Sequence, residues 1–391
     1  MVVSVGFVMG IIRSIGFAAG LGLLVCSAPA VDVRRGPWGE LELLPMMLSP
    51  MNEVLPDGTA TVYATEWYFP GHTTSSLVAF LSGVSLSAAQ QASLLDPEVW
   101  SRDAAGVIGV RPAETVVLSL SPESRARLYA ELAGSPANQR YYQPWSIRTN
   151  VMNALLAGSE LTPEIQAQIR RVAYLRGDRY LMSDFPVLLN ATTDAGQKIR
   201  LLRLRNASSG YDVQLRVPSG GSVDALVAYW GVMGREGRIR PYLDAMSRTT
   251  GDMQMDITHL LPVFARTRLN TFPKMVVGDA MVRDCHWSSL NFFNTVPDDT
   301  FARLTGMQQE IRHNYVKIDG EPGFGDLMFF TGTDGHIIHS AVYLAANLVF
   351  TKNGHEATHP WVIMDVDNLQ EFYAIAMHDT LTITYWRHRL R

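Results

Sequence analysis

The sequence predicts an α+β protein, in which a mainly helical N-terminal region precedes a domain made of one helix and an antiparallel sheet. Helix-start signals and apolar residues spaced by three and four dominate from about Ser75 to Phe272. After Pro273, short runs of strand character are separated by turns. We therefore expect two parts, residues 31–273 and residues 274–391.

The N-terminus has the three parts of a secretory signal peptide. Arg13 supplies positive charge, an apolar run ends at Val25, and Ala28-Pro29-Ala30 offers small residues for cleavage. We expect residues 1–30 to be removed and the protein to be exported to the periplasm or beyond the cell. The apolar run is shorter than the roughly 20 residues that span a bilayer, so no transmembrane segment is expected in the mature chain. Lipoprotein anchoring through Cys26 is the alternative, although Val25 is bulkier than the residue that usually precedes a lipidated cysteine.

The net charge and the number of cysteines limit which partners and which cysteine chemistry we expect. The formal net charge of -4 lacks the positive excess that phosphate backbones require, so no nucleic-acid partner is predicted. Loss of the signal peptide would leave Cys285 as the one cysteine, with no internal disulfide. In an oxidising compartment such a thiol is expected to be either buried in the core or used in chemistry.

Two segments of the N-terminal region carry strong helix-start signals. Ser121-Pro122-Glu123 and Thr162-Pro163-Glu164 each offer a capping hydroxyl, a proline and an acid in the first turn. They predict helices over 125–133 and 165–175. Further predicted elements are helices over 223–232 and 257–269, with a kink or restart at Pro262, and a strand over 211–217.

The C-terminal domain is predicted to begin with a helix and continue as a sheet. The helix is expected over 284–294, after a strand-like run at 275–277. The predicted strands are 315–318, 327–331, 337–344, 348–351, 361–364 and 381–386, several of them separated by Asp-Gly or Asn-Gly turns.

Cys285 lies where this helix is predicted to begin. A thiol in the first turn is close to unpaired backbone N–H groups and to the positive end of the helix dipole, both of which stabilise a thiolate. The same N–H groups can hold an oxyanion. The competing interpretation is a buried core cysteine without chemistry.

Three motifs follow one another in the chain: Asp284-Cys285, then the Gly-Asp-Leu-Met-Phe-Phe segment 325–330, then His339 with Tyr343-Leu344 behind it. Their order and spacing resemble the NlpC-type branch of the papain-like cysteine peptidases, over roughly residues 276–355. The resemblance implies a papain-like helix-plus-sheet domain. It also implies that Cys285 is the nucleophile, that its backbone N–H contributes to the oxyanion hole, and that His339 is the general base. Asp326 would have a structural role in the loop before a core strand.

The family usually has a third polar residue on the next strand, which orients the imidazole. Thr351 stands at the equivalent spacing, where the family often has histidine. If the hairpin turn is centred on Ala346, strand pairing places His339 opposite Asn353, whose amide can orient a histidine. We favour Asn353 as the third catalytic residue and keep Thr351 as the alternative.

A metal site is the main chemical alternative, because four histidines crowd one stretch of the chain and Cys285 is available as a further ligand. They are His336, His339, His355 and His359. Regular strand geometry would place residues 336 and 339 on opposite faces, and no Cys-x-x-Cys or His-Glu-x-x-His spacing occurs. We predict neither a metal nor another cofactor.

These observations together predict an exported thiol hydrolase that cleaves an amide bond. Peptide or peptidoglycan is the substrate class that the resemblance implies, and acyl transfer would use the same chemistry. The alternative is a catalytically inactive NlpC-like binding or scaffold protein of the cell envelope. The enzyme hypothesis requires the Cys285 sulfur and the His339 ring to meet across a cleft between helix and sheet.

Overall fold

The structure is a computed structural model that describes residues 32–55, 64–274, 281 and 283–391. The expected signal peptide 1–30, the alternative lipidation site Cys26 and the strand-like run 275–277 lie outside these residues. Within the described segments, no helix has both the length and the apolar character needed to span a bilayer.

The N-terminal region contains more strand than its sequence predicts. Its helices are α1 Thr74–Ser82, α2 Ala88–Leu95, α3 Glu114–Ser119, α4 Pro122–Leu132, α5 Gln139–Tyr142, α6 Met152–Ala157, α7 Pro163–Val172, α8 Phe185–Ala191, α9 Ala195–Arg205, α10 Asp224–Trp230, α11 Glu236–Ser247 and α12 Val263–Arg268. Its strands are β1 Asp32–Gly36, β2 Gly39–Leu48, β3 Trp67–Phe69, β4 Trp100–Arg102, β5 Ile108–Val110, β6 Trp145–Arg148, β7 Tyr174–Arg176, β8 Arg179–Met182, β9 Ser208–Val217 and β10 Met253–Asp256.

Local capping explains where the two best-predicted helices begin. Ser121 Oγ accepts the N–H of Ser124 at the start of α4, and Thr162 Oγ1 accepts the N–H of Ile165 at the start of α7. Pro262 caps α12 after a 3₁₀ turn, so the helix predicted over 257–269 is restarted there. The strands form antiparallel sheets in the orders β1-β2-β9-β10, β3-β5-β4 and β6-β8-β7.

The C-terminal part has the predicted layout of one leading helix and an antiparallel sheet. Its helices are α13 Cys285–Leu290, α14 Leu304–Asn314 and α15 Val366–Met377, of which α14 and α15 were not predicted. Its strands are β11 Tyr315–Ile318, β12 Leu327–Thr331, β13 Ile337–Ala345, β14 Leu348–Lys352, β15 Trp361–Asp365 and β16 Thr382–His388. They form a six-stranded sheet in the order β11-β16-β12-β13-β14-β15. The predicted α+β class is therefore confirmed.

Helices cover both faces of this sheet. Val342 and Leu344 of β13 share a core with residues of α13, including Trp287. The alternate residue Tyr343 shares a second core with Leu369 of α15. Because side chains alternate along a strand, Ser340, Val342 and Leu344 in the middle of β13 face α13, whereas Ala341 and Tyr343 face α15.

The first core continues across the expected boundary near residue 273. It unites Val213 of β9 with Ile363 of β15, and the backbone carbonyl of Ile363 lies close to Gly210 of β9. The backbone N–H of Asn270 donates to the carbonyl of Trp361 over 2.8 Å. The C-terminal sheet and the four-stranded sheet are consequently packed into one hydrophobic core.

Helix α15 also joins the C-terminal part to the helical region. Glu371 accepts from Arg148 at 2.5 Å and from Arg179 at 3.2 Å. The ring of His378 stacks on Tyr142 with centroids 3.8 Å apart. These contacts hold α15 between the six-stranded sheet and the upstream region.

Candidate active site

Cys285 is the first residue of α13, as the sequence predicts. Asp284 caps the helix, since its Oδ1 accepts the backbone N–H of Trp287 over 3.0 Å. Ser288 Oγ donates back to the carbonyl of Asp284 over 2.7 Å. This capping fixes the thiol beside the free N–H groups of the first turn.

The Cys285 side chain is buried, with 5 % of its residue surface exposed. Burial raises the pKa of the thiol to about 12, and the neighbouring Asp284 carboxylate acts in the same direction. Backbone N–H groups of Ser340, His286 and Cys285 itself favour the thiolate, but their effect on the pKa is smaller than the effect of burial. In this conformation the thiol is therefore protonated at neutral pH, and the thiolate stabilisation expected from the helix start is outweighed by burial.

His339 lies on β13, directly before the residue whose backbone N–H faces the Cys285 sulfur. Its side chain is fully buried on the α15 side of the sheet, where its ring stacks on Tyr373 with centroids 4.2 Å apart. The next residue, Ser340, points the other way and donates from Oγ to Ser289 of α13 over 3.2 Å. Thiol and imidazole thus come to the same end of the sheet, but the ring does not lie beneath α13 as a cleft between helix and sheet would require.

The hydrogen bonds of His339 define its protonation state. Its Nε2 lies 2.8 Å from Thr351 Oγ1, and that hydroxyl donates to Asn353 Oδ1 over 3.3 Å. With this hydroxyl as the donor to Asn353, it accepts from the imidazole, and the tautomer that we assign to the neutral ring carries the proton on Nε2. Nδ1 is then a lone-pair nitrogen, and it has no hydrogen-bond partner among the described residues.

The pKa of His339 lies well below its ordinary value near 6.5. Burial is the main cause, and the nearby imidazole of His286 adds to it. His339 is therefore neutral at physiological pH, which is the state that a general base requires. No hydrogen bond joins either ring nitrogen to the Cys285 sulfur within the part of the chain that the structure describes.

The preference for Asn353 over Thr351 as the partner of His339 was wrong. The hairpin has the assumed register, with Val342 opposite Phe350. However, β14 ends at Lys352, and the Asn353 amide turns to donate to the sulfur of Met364 over 3.1 Å. The imidazole instead reaches diagonally to Thr351, and Asn353 acts on it only through that hydroxyl.

Lys352 is a buried cation close to the thiol that the sequence analysis missed. Its Nζ donates to the carbonyls of Gly354 over 2.7 Å and Glu356 over 3.1 Å. Burial lowers its pKa to about 8, although the nearby Cys285 and Asp284 act in the opposite direction. One indication of this cation was present in the sequence, since the lysine ends a strand whose first three residues are apolar. Its two carbonyl bonds fix the loop that carries Asn353.

Asp326 has the structural role that the resemblance implies. It is fully buried, and its Oδ2 accepts the backbone N–H of Gly323 over 2.8 Å. Arg387 and Arg391 donate to the same carboxylate. The aspartate therefore closes the loop before β12 and ties it to the C-terminus.

The histidines considered as a metal site are not gathered into one. His336 is exposed beside Asp334, whereas His339 is buried against Thr351. Within the described residues, only Asp284, Cys285 and His286 place three potential ligand atoms within 4.8 Å of one another. The carboxylate of Asp284 and Nδ1 of His286 already have hydrogen-bond partners, in Trp287 and Ser340.

No family model matches the chain, and neither a curated protein nor a solved structure matches it. The family resemblance therefore depends on the three motifs alone.

Proposed function

We propose that the protein is an exported thiol hydrolase that cleaves an amide bond in cell-wall peptide, with Cys285 as nucleophile and His339 as base. One observation carries the proposal: His339 is a neutral imidazole whose Nε2 is bound through Thr351 to Asn353, leaving Nδ1 free. A neutral base in this tautomer and a thiol at a helix start are two of the parts that nucleophilic cysteine catalysis needs, although the two side chains do not contact each other in this conformation.

The reaction would proceed by acyl transfer through the thiol. His339 Nδ1 takes the proton of Cys285, and the thiolate attacks the carbonyl carbon of the amide. The backbone N–H of Cys285 helps to hold the oxyanion. The imidazolium returns its proton to the leaving amine as the C–N bond breaks, and water then hydrolyses the thioester with His339 again as base. An amine in place of water would give transpeptidation by the same steps.

Catalysis on this path requires the site to open. Cys285 is 5 % exposed, and Tyr373 lies over the His339 ring. Tyr373 would have to move away, and the His339 ring would have to leave the α15 side of the sheet, before Nδ1 could reach the sulfur. Because burial is the main cause of the raised thiol pKa, opening would also lower that pKa.

The second candidate is a catalytically inactive scaffold of the cell envelope. The buried thiol, with its pKa raised to about 12, favours this candidate, since a silent cysteine needs no access. In that case the helical region would be the working part of the protein.

Digestion of purified peptidoglycan by the whole protein tests the proposal. Mass spectrometry of the fragments should show a newly cleaved amide bond, absent with Cys285→Ala. His336→Ala, at an exposed histidine in the loop before β13, is the control and should retain cleavage. Identical fragment patterns from wild type and Cys285→Ala would favour the scaffold.

A further inference from the structure

A groove runs along one face of α11, far in sequence from Cys285. Two adjoining cavities of about 610 and 420 Å³ form it, and they share Pro241, Tyr242 and His259 as lining residues. One wall is α11, and the other comes from β10 and the segment that follows it, to Arg266. The groove is built from elements that the proposed catalysis does not use.

The larger cavity is mainly apolar, although Gln214, Gln254, Asp256 and His259 also line it. Met246, Met253 and Met255 line it together with Tyr242. Tyr242 and Met253 are 61 % and 39 % exposed, so the cavity is open to solvent. Methionine side chains adapt to the shape of an apolar ligand, and flexible methionine-rich surfaces are typical of binding sites.

The smaller cavity is cationic. Arg235, Arg238 and Arg266 line it, and none of the three forms an ion pair with a carboxylate in the described part of the chain. Burial, followed by repulsion from Arg238 and Arg266, lowers the pKa of Arg235 to about 10. By contrast Arg240, two residues beyond Arg238, is paired with Asp224 at 2.8 Å. The groove therefore holds positive charge that the described residues do not neutralise.

Among the groove's lining residues, Asp256 alone is acidic. It lines the apolar cavity and not the cationic one, and its Oδ1 accepts the backbone N–H of Thr258 over 2.7 Å. Arg235 is held in place by the carbonyls of Trp230 and Leu260, to which it donates. The cationic end is thus fixed in position and open to an external anion.

We propose that this groove binds an anionic lipid. Its phosphate would lie among the three arginines, because a guanidinium donates in a geometry that matches phosphate oxygens. Its acyl chain would lie along the methionine-lined half. Charge complementarity at one end and an apolar cavity at the other select an amphipathic anion over a free anion or a neutral chain. The inference does not depend on the activity proposed for Cys285.

Isothermal titration of the whole protein with monomeric dodecyl phosphate tests this site. We expect 1:1 binding that is at least tenfold tighter than binding of inorganic phosphate or of dodecylphosphocholine. Arg238→Gln and Arg266→Gln should each weaken it about fivefold, as expected for one charge near a lipid phosphate. Arg240→Gln, on the same helix but outside the groove, should leave it unchanged. Met253→Gln should weaken the binding of dodecyl phosphate without changing the affinity for inorganic phosphate.

Two results would overturn the proposal. Equal affinity of wild type, Arg238→Gln and Arg266→Gln for dodecyl phosphate would show that these arginines do not bind the phosphate. Equal affinity of the wild type for inorganic phosphate and dodecyl phosphate would show that the methionine-lined half of the groove does not bind the acyl chain. Circular dichroism of each variant would verify that the fold is retained before titration.

Discussion

Replacing Thr351 by valine tests the hydrogen-bond arrangement around His339 without assuming any activity. Valine keeps the shape of the side chain and removes the hydroxyl that joins His339 Nε2 to Asn353 Oδ1. His339 is fully buried and Thr351 is 1 % exposed, so water cannot replace the lost acceptor. A buried donor left without a partner costs about 1–3 kcal/mol. Asn353 is only partly buried and can turn to solvent, so we expect a total loss near 2 kcal/mol.

Urea unfolding followed by tryptophan fluorescence measures this loss, with Thr351→Ser as the matched control. Serine keeps the hydroxyl and loses only a methyl group, so it should cost about 1 kcal/mol or less. Nitrogen NMR of the His339 ring supplies a second measurement: wild type should be protonated on Nε2, and Thr351→Val should show both tautomers. A valine variant as stable as the serine variant, with an unchanged tautomer, would refute the arrangement.

Three further predictions concern the thiol, a buried ion pair and pH. Alkylation of Cys285 by iodoacetamide at pH 7 should be about a thousandfold slower than for a free cysteine, because its pKa is about 12, and Tyr373→Ala should accelerate it. Arg125→Met should lower the free energy of unfolding by about 3–5 kcal/mol, since it leaves the fully buried Asp184 carboxylate without its ion-pair partner. The free energy of unfolding should decrease as pH drops below 6.5, because His339 stays neutral in the folded state while the same residue takes up a proton in the unfolded chain. One such group contributes a slope of at most about 1.4 kcal/mol per pH unit. His339→Gln should therefore make the dependence of stability on pH less steep.

Each of these predictions has a clear contrary result. Rapid alkylation of wild-type Cys285 at pH 7 would mean that the thiol is exposed in solution. A loss below about 1 kcal/mol in Arg125→Met would mean that Asp184 finds another partner or takes up a proton. Equal slopes of stability against pH in wild type and His339→Gln would mean that other groups dominate the acid response.

Local signals were sufficient to predict much of the C-terminal part. The strand Tyr315–Ile318 has the bounds predicted for it, because an Asp-Gly turn follows it directly. Cys285 begins a helix because the preceding Asp284 is a favourable cap. The strand predicted over 337–344 is present, but its sequence has no alternation of polar and apolar residues that would show which face His339 takes.

Other features depend on contacts between distant segments. Thr351 replaced Asn353 as the partner of His339 because β14 stops pairing at Lys352, and sequence pairing rules do not specify where a ladder ends. The depth of burial that raises the thiol pKa depends on everything packed around Cys285. Helix α15 had a readable signal, since the Asp365 side chain caps its first turn, but its position over the sheet had none.

The placement of α15 connects the large upstream region to the surroundings of His339. Glu371 and Tyr373 lie two residues apart on that helix. The Glu371 carboxylate forms ion pairs with Arg148 and Arg179, and the Tyr373 ring stacks on His339. Both contacts are therefore made by one turn of the same helix. A ligand that shifts the strands carrying those arginines would tilt that helix as well. Movement of β6 or β8 would therefore be transmitted through α15 to the Tyr373 ring.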